Sequence, residues 1–170
     1  MERTIKQGLA ALECEEPRIL ILGSLPSDAS IDANEYYANP KNFFWRVVSE
    51  ITGVPQPFSY GEKSKMLACN HIALWDVYAF AERKGSLDSA IKGGEFNDIA
   101  SMVKQYPSIT KIVFNGKKSL EAFARYLRSC PDNSLFVHIT FYSMPSTSSL
   151  VLSSGITYNE LVEEWKAILN

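Results

Sequence analysis

Residues 18–45 read RILILGSLPSDASIDANEYYANPKNFFW. The stretch opens on an apolar run, Ile19-Leu20-Ile21-Leu22, and passes through a turn of small residues, Gly23-Ser24-Leu25-Pro26-Ser27. A polar connection rich in Asp, Asn and Tyr follows. It closes on Asn39-Pro40-Lys41-Asn42-Phe43-Phe44-Trp45, which has the form of a helix start, with Pro40 in the first turn where its missing N–H would have no partner anyway. A strand that is apolar throughout is expected to be covered on both faces. Such a strand, feeding a polar loop beside a helix N-terminus, marks an α/β fold that binds its ligand at the strand ends.

The rest of the chain repeats this unit. Phe44, Val47, Val48 and Ile51 recur at helical spacing until Gly53 and Pro55 stop the run. A short helix is expected near 60–68, a second strand over His71–Trp75, and a helix from Asn97 to Tyr106. Then come a third strand at Lys111–Phe114, a helix over 117–128, a fourth strand at Leu135–Tyr142 and a last helix at Tyr158–Leu169. Residues 4–13 read as a short helix ended by Glu15-Glu16-Pro17, and Tyr78–Phe96, polar and glycine-bearing, as mostly loop. Strand and helix alternate four times with no break in composition. The expectation is one α/β domain over residues 1–170 with a mainly parallel, four-stranded central sheet.

Composition narrows the function classes. The chain has 170 residues, 46% hydrophobic and 21% charged, with no uncharged apolar run near the ~20 residues that cross a bilayer. The N-terminal MERTIKQGLAALECEEP lacks a signal-peptide core, so a cytoplasmic protein without a membrane partner is expected. Cys14, Cys69 and Cys130 lie far apart with no Cys-x-x-Cys spacing; they read as free, partly buried thiols and not as metal ligands. A net charge of −2 argues against a general nucleic-acid binder. Residues 111–128, however, hold five Lys or Arg and one acid, Glu121, while Glu13, Glu15, Glu16, Glu160, Glu163 and Glu164 crowd the ends. One basic face stays open.

In a parallel sheet, strands 1, 3 and 4 bring three segments to one edge: Gly23-Ser24-Leu25-Pro26, Asn115-Gly116-Lys117-Lys118 and Ser143-Met144-Pro145-Ser146-Thr147-Ser148. These carry amides, hydroxyls and backbone N–H groups, with no His, Cys or paired carboxylate. Ser24 has no Gly-x-Ser-x-Gly setting, His71 and His138 fall inside strand runs, and no phosphate-binding P-loop occurs. Each loop alone reads as a plain turn; their coincidence points to a cleft.

The turn Gly23-Ser24-Leu25-Pro26, the run Tyr36-Tyr37-Ala38-Asn39-Pro40-Lys41-Asn42-Phe43-Phe44-Trp45 and the later Met144-Pro145-Ser146-Thr147-Ser148 resemble the uracil-DNA glycosylase superfamily. They look most like its hypoxanthine-DNA (deoxyinosine) glycosylase branch. Leu74-Trp75-Asp76-Val77, Gly85-Ser86-Leu87-Asp88-Ser89, Asn97-Asp98 and Phe114-Asn115-Gly116 extend the likeness from about residue 17 to the C-terminus. The chain departs from the family where Ser27 replaces a usual Gly, and where Ser149-Leu150-Val151 replaces Pro-Ala-Asn.

The resemblance implies a three-layer α/β/α domain, a monomer that acts on double-stranded DNA containing a deaminated base. It flips that base out and hydrolyses its N-glycosidic bond without metal or cofactor. It assigns the attacking water to Asn39, which the residues alone equally read as a helix cap before Pro40. Phe44, or Phe43 in its place, would stack on the base, although Phe44 also opens the apolar helix face. Asn115 would read the edge of a 6-oxopurine, or serve only as a turn residue. Asn42, Gly23, Ser24 and Leu25 would line the base site. Met144, Pro145, Ser146, Thr147 and Ser148, with Lys117 and Lys118, would touch DNA, with Met144 or Leu150 as an apolar wedge. Three other functions fit the same sequence: a uracil or mixed deaminated-base glycosylase, an inactive DNA-binding relative, and a nucleotide-binding α/β protein.

Overall fold

The computed structural model describes residues 2–57, 59–86 and 91–170, so Leu87, Asp88 and Ser89 of the glycine–serine motif lie outside the described residues. At its centre is β2 (Ile19–Gly23), every residue of which is buried. It pairs in parallel with β3 (Ile72–Asp76) on one side and β6 (Lys111–Asn115) on the other, and β6 pairs in parallel with β7 (Thr140–Met144). The order β3-β2-β6-β7 is the expected parallel sheet.

Side chains alternate across a strand, and here they feed two separate cores. Leu20, Leu22, Ile112 and Phe114 pack on one face with Val103 of α4 (Ile99–Gln105) and Ala122, Phe123 and Tyr126 of α5 (Lys117–Ser129). Ile19, Ile21 and Val113 pack on the other. There they meet Phe44, Val47 and Val48 of α2 (Phe44–Thr52), Leu67 of α3 (Tyr60–Cys69), and Leu161 and Trp165 of α6 (Tyr158–Trp165). Helices on both faces make three layers. Gly53, at φ 69°, ends α2 in the left-handed conformation that glycine adopts without penalty. No helix among the described residues is long and apolar enough to cross a membrane.

Four expectations are corrected. Residues 4–13 contain β1 (Thr4–Gln7) and no helix: Thr4 to Gln7 pair antiparallel with Arg83 to Phe80. The free edge of β4 (Tyr78–Arg83) supplies a ladder, and Gly8 brings its N–H 2.7 Å from the Ala79 carbonyl, where a Cβ would sit only 2.8 Å from that oxygen. The supposed loop 78–96 holds β4 and β5 (Ile91–Phe96), which complete an antiparallel sheet β1-β4-β5. Gly94, at φ 110°, lets these strands close up, since a Cβ there would meet the Phe80 oxygen at 2.2 Å.

The fourth strand begins at Thr140, because Asp132 caps a 3-10 turn over Asn133–Phe136 that takes up Leu135 and Phe136. His71 and His138 stand in the turns before their strands, with His71 at φ 58° and its Nδ1 2.9 Å from the Glu16 carbonyl. One short helix, α1 (Asp28–Ala33), arises within the polar connection; Ser27 caps it and Asn34 ends it at φ 53°. Cys14 and Cys130 are half-buried, Cys69 is exposed, and all three are free thiols.

Phe123 is 2% exposed, and its ring packs against those of Phe114, Tyr126, Phe136 and Phe141. Phe123→Ala should cost about 3–5 kcal/mol of unfolding free energy. Urea titration of the variant measures this, and a loss below ~1 kcal/mol would mean that the layer is not packed as described.

Candidate active site

The carboxyl ends of β2, β3, β6 and β7 share one edge of the sheet, and the loop 34–43 lies across it. Pro40 is not in a helical turn. It belongs to a separate turn in which the Asn39 carbonyl accepts from the Asn42 N–H at 2.9 Å and Asn39 Oδ1 accepts from the Lys41 N–H at 3.0 Å. Helix α2 starts only at Phe44, four residues after Pro40, and Asn42 Oδ1 takes the Phe44 N–H at 2.9 Å. Asn39 is therefore an exposed residue at a turn tip and does not cap α2.

Asn115 is 8% exposed and its amide joins three segments. Its Nδ2 donates to Tyr37 Oη at 2.9 Å and to Thr147 Oγ1 at 2.8 Å, while its Oδ1 accepts from the Thr147 N–H at 2.9 Å. Thr147 Oγ1 in turn donates to Asn42 Oδ1 at 2.8 Å, and the Phe43 N–H donates to the Thr147 carbonyl at 2.8 Å. Thr147 is fully buried and its hydroxyl is engaged at both ends, so it is an internal tie and is out of reach of a phosphate. Gly116 permits this closeness: at φ 92°, a Cβ there would lie 3.1 Å from that of Ser146.

Phe44 is fully buried, and one face of the Tyr37 ring lies on it, 4.1 Å between centroids and 22° from parallel. Phe44 thus presents no face to this edge, and the half-buried Tyr37 ring covers it. Phe43 turns to the other side, against Tyr158 at 5.3 Å and beneath the Arg46 guanidinium. Tyr37 was not among the residues singled out in the sequence; its signal was the tandem Tyr36-Tyr37, and the second of these sits at φ 52°, a region that bulky side chains seldom occupy.

Asp76 is the second addition. It ends β3 opposite Gly23 and is 3% exposed. A Cβ on Gly23 would fall 2.4 Å from Asp76 Oδ1 and 3.1 Å from Tyr37 Oη, so the carboxylate and the phenol converge over the glycine. Burial, and after it the negative charge of Asp76, push the Tyr36 hydroxyl well above the ordinary tyrosine range. That phenol stays neutral and donates to the Leu9 carbonyl at 3.2 Å. The signal for Asp76 was the strand-end rule itself, since IALWD places a carboxylate where an apolar strand leaves the sheet.

Ser24 and Leu25 are each 6% exposed and contribute mainly backbone. Met144 packs against the core beside α6, and the Pro145 carbonyl accepts from Trp165 Nε1 at 3.0 Å. Ser146 and Ser148 are half-buried, and their hydroxyls accept from the N–H groups of Ser148 and Leu150. Beyond them a 3-10 helix over Ser149–Ser154 exposes Leu150 (61%) and Leu152 (41%) on an uncharged protrusion. Lys117 is exposed at the start of α5; Lys118 is half-buried and pairs with Glu121 at 3.3 Å. A cavity of about 590 Å³ lies between α4, β5 and the end of α5, but it carries none of the strand-end groups. Among the described residues no three His, Cys, Asp or Glu side chains gather as a metal site.

The sequence model of the Uracil DNA glycosylase superfamily matches residues 11–168. A hypoxanthine DNA glycosylase of Methanosarcina acetivorans is 46% identical over 118 residues, 69% of this chain and 75% of that one. A hypoxanthine DNA glycosylase of Methanosarcina barkeri is 41% identical over 117 residues, 68% of this chain and 74% of that one. The solution NMR structure of a candidate uracil DNA glycosylase from Methanosarcina acetivorans superposes with a TM-score of 0.80 at 38% identity, covering 98% of this chain and 97% of the other.

Thr147→Val keeps the shape and removes the hydroxyl, which leaves one Asn115 N–H without its acceptor and the Asn42 oxygen with the Phe44 N–H as its remaining donor. It should cost about 1–3 kcal/mol in guanidinium unfolding, with Thr147→Ser losing less. A valine variant as stable as the parent would show that the tie carries no weight.

Proposed function

Because the chain belongs to the uracil DNA glycosylase superfamily, we propose that it is a DNA glycosylase that removes a deaminated base, hypoxanthine first among them, from double-stranded DNA. The observation that carries the reading is the convergence at one sheet edge of an aromatic ring, a buried carboxylate and a buried amide, with Asn39 exposed in the turn that follows the ring in the chain. The 46% and 41% identities to proteins named for hypoxanthine support the choice of base.

The ring of Tyr37 offers the flipped base the face not taken by Phe44, and base stacking on an aromatic is worth ~1–3 kcal/mol. Hypoxanthine presents an N1–H donor beside its O6 acceptor. The carboxylate of Asp76 accepts from the N–H, and the Asn115 amide supplies the donor for O6 by exchanging its bond to Tyr37 Oη. Uracil carries the same pairing of N–H and carbonyl, which keeps it the nearest competing substrate.

The amide of Asn39, outside the buried network, orients a water toward C1′. The C1′–N9 bond breaks, the base leaves with the electron pair and takes up a proton, and the water oxygen bonds to C1′ and releases one. No protein nucleophile enters this sequence: Asp76 is used to accept from the base, and the remaining groups are amides and hydroxyls that position the reactants. Leu150, an exposed apolar side chain, wedges into the stack that the base leaves, and Lys117, also exposed, supplies a phosphate contact. Opening the pair costs least at a poorly paired base such as inosine opposite thymine.

Labelled duplexes with a single inosine, uracil or xanthine, followed by alkaline cleavage of abasic sites, test the proposal. The expected result is strand cleavage at inosine, and its absence with all three bases would refute the enzyme reading. Asn39→Ala should lower the single-turnover rate on the order of 10²-fold or more while unfolding at the parent's temperature. Full activity in that variant would remove Asn39 from the mechanism.

A further inference from the structure

Arg83, the last residue of β4, is fully buried although it carries a guanidinium. Resting on the glycosylase reading above, we infer that Arg83 is a positioning residue for base excision: it clamps the Leu25-Pro26 turn at the floor of the base site from behind. Its Nη1 donates to the Leu25 carbonyl at 3.2 Å, its Nη2 to the Pro26 carbonyl, and its Nε to the Gly85 carbonyl at 2.9 Å.

These bonds complete a series. The Gly23 carbonyl accepts from the Val77 N–H at 2.9 Å and the Ser24 carbonyl from the Tyr78 N–H at 3.0 Å. Four consecutive carbonyls, Gly23 to Pro26, are thus held by the segment Val77–Arg83. The first two partners are backbone groups that any sequence would supply, and the last two bonds depend on one side chain. Pro26 has no N–H, so its own backbone can be held by hydrogen bonds only through its carbonyl. A trans peptide points its C=O and N–H in opposite directions, so with the Pro26 carbonyl on Arg83 the Ser27 N–H faces away from it. Asp28 is held as well: its N–H donates to Ser86 Oγ at 2.9 Å, and Lys6 of β1 pairs with its carboxylate at 2.8 Å.

Burying a cation costs more than burying an apolar chain of the same length, so packing alone does not account for arginine here. What arginine adds is a rigid planar fork that meets several carbonyls at once, which the single ammonium of lysine cannot reproduce. The base, the sugar and the water are held by groups on either side of this turn, and a displacement of about 1 Å at such a site lowers a rate on the order of 10²-fold.

Three measurements test the clamp. In single-turnover cleavage of an inosine duplex, Arg83→Lys should lose at least tenfold in maximal rate, and Arg83→Met more. The DNA concentration at half saturation should stay within about threefold, because the wedge and the α5 lysines are untouched. A folded variant with a maximal rate within twofold of the parent overturns the inference, as does a loss confined to half saturation. If the parent cleaves none of the deaminated duplexes, the functional reading fails, and the clamp is judged by structure. Hydrogen exchange of the Ser24, Leu25, Ser27 and Asp28 amides should speed up in Arg83→Lys while that of α5 does not, and equal exchange refutes the clamp. Should neither variant fold, ¹⁵N NMR of the parent decides: the Arg83 Nε–H and Nη–H should give separate signals protected from water. Rapidly exchanging signals would overturn the proposal.

Discussion

The arrangement depends on one buried amide. Asn115 reaches the phenol of Tyr37 with one N–H, the hydroxyl of Thr147 with the other, and receives the Thr147 N–H on its oxygen. Through Thr147 the network extends to Asn42, whose oxygen also holds the first N–H of α2. Buried polar groups stabilise a fold when every member is satisfied and cost it free energy when one is not. The three loops at the sheet edge are thus fixed together by a set of bonds that is either complete or unfavourable. Glycine is required where they approach closest, at Gly23 beneath Asp76 and at Gly116 against Ser146.

The central sheet and its covering helices were legible because they rest on local signals. Ile19 to Leu22 are apolar without interruption, and Leu120, Phe123 and Leu127 keep helical spacing. The second sheet was not. Thr4-Ile5-Lys6-Gln7 is short, with Ile5 69% exposed, and β5 contains two glycines and two charges. Nothing in either segment shows that the other exists, because their stability comes from pairing with β4, some 75 residues from β1.

The site was half legible for a similar reason. The strand-end rule brings Gly23, Asp76 and Asn115 to one edge, and Asn42 joins Asn115 there through Thr147, while Asn39 stands at an exposed turn tip. Side-chain direction was out of reach. Thr147 sits in a run of serines that reads as a wet surface loop, yet its own hydroxyl is fully buried. Phe44 and Tyr37 are both aromatic and seven residues apart; only the left-handed backbone at Tyr37, φ 52°, turns its ring over Phe44 and puts it on the open side. Asp76 is a single carboxylate after an apolar strand, which becomes chemically meaningful once Gly23 is seen beneath it.

A parallel sheet delivers its working groups from points far apart in the chain. Gly23, Asp76, Asn115 and Thr147 each end a different strand or begin the loop beyond it, and the bond between Asn42 and Thr147 closes a separation of 105 residues. High contact order of this kind delays assembly, because the entropy of closing long loops must be overcome before the contacts that offset it can form. While the chain leaves the ribosome, the first three strands of the sheet can meet before β7 has been made. Until it is, Asn115 has no Thr147, and the bonds that tie its amide to Asn42 through that residue cannot form. A partly synthesised copy therefore has three strands of the sheet without the network that joins its loops.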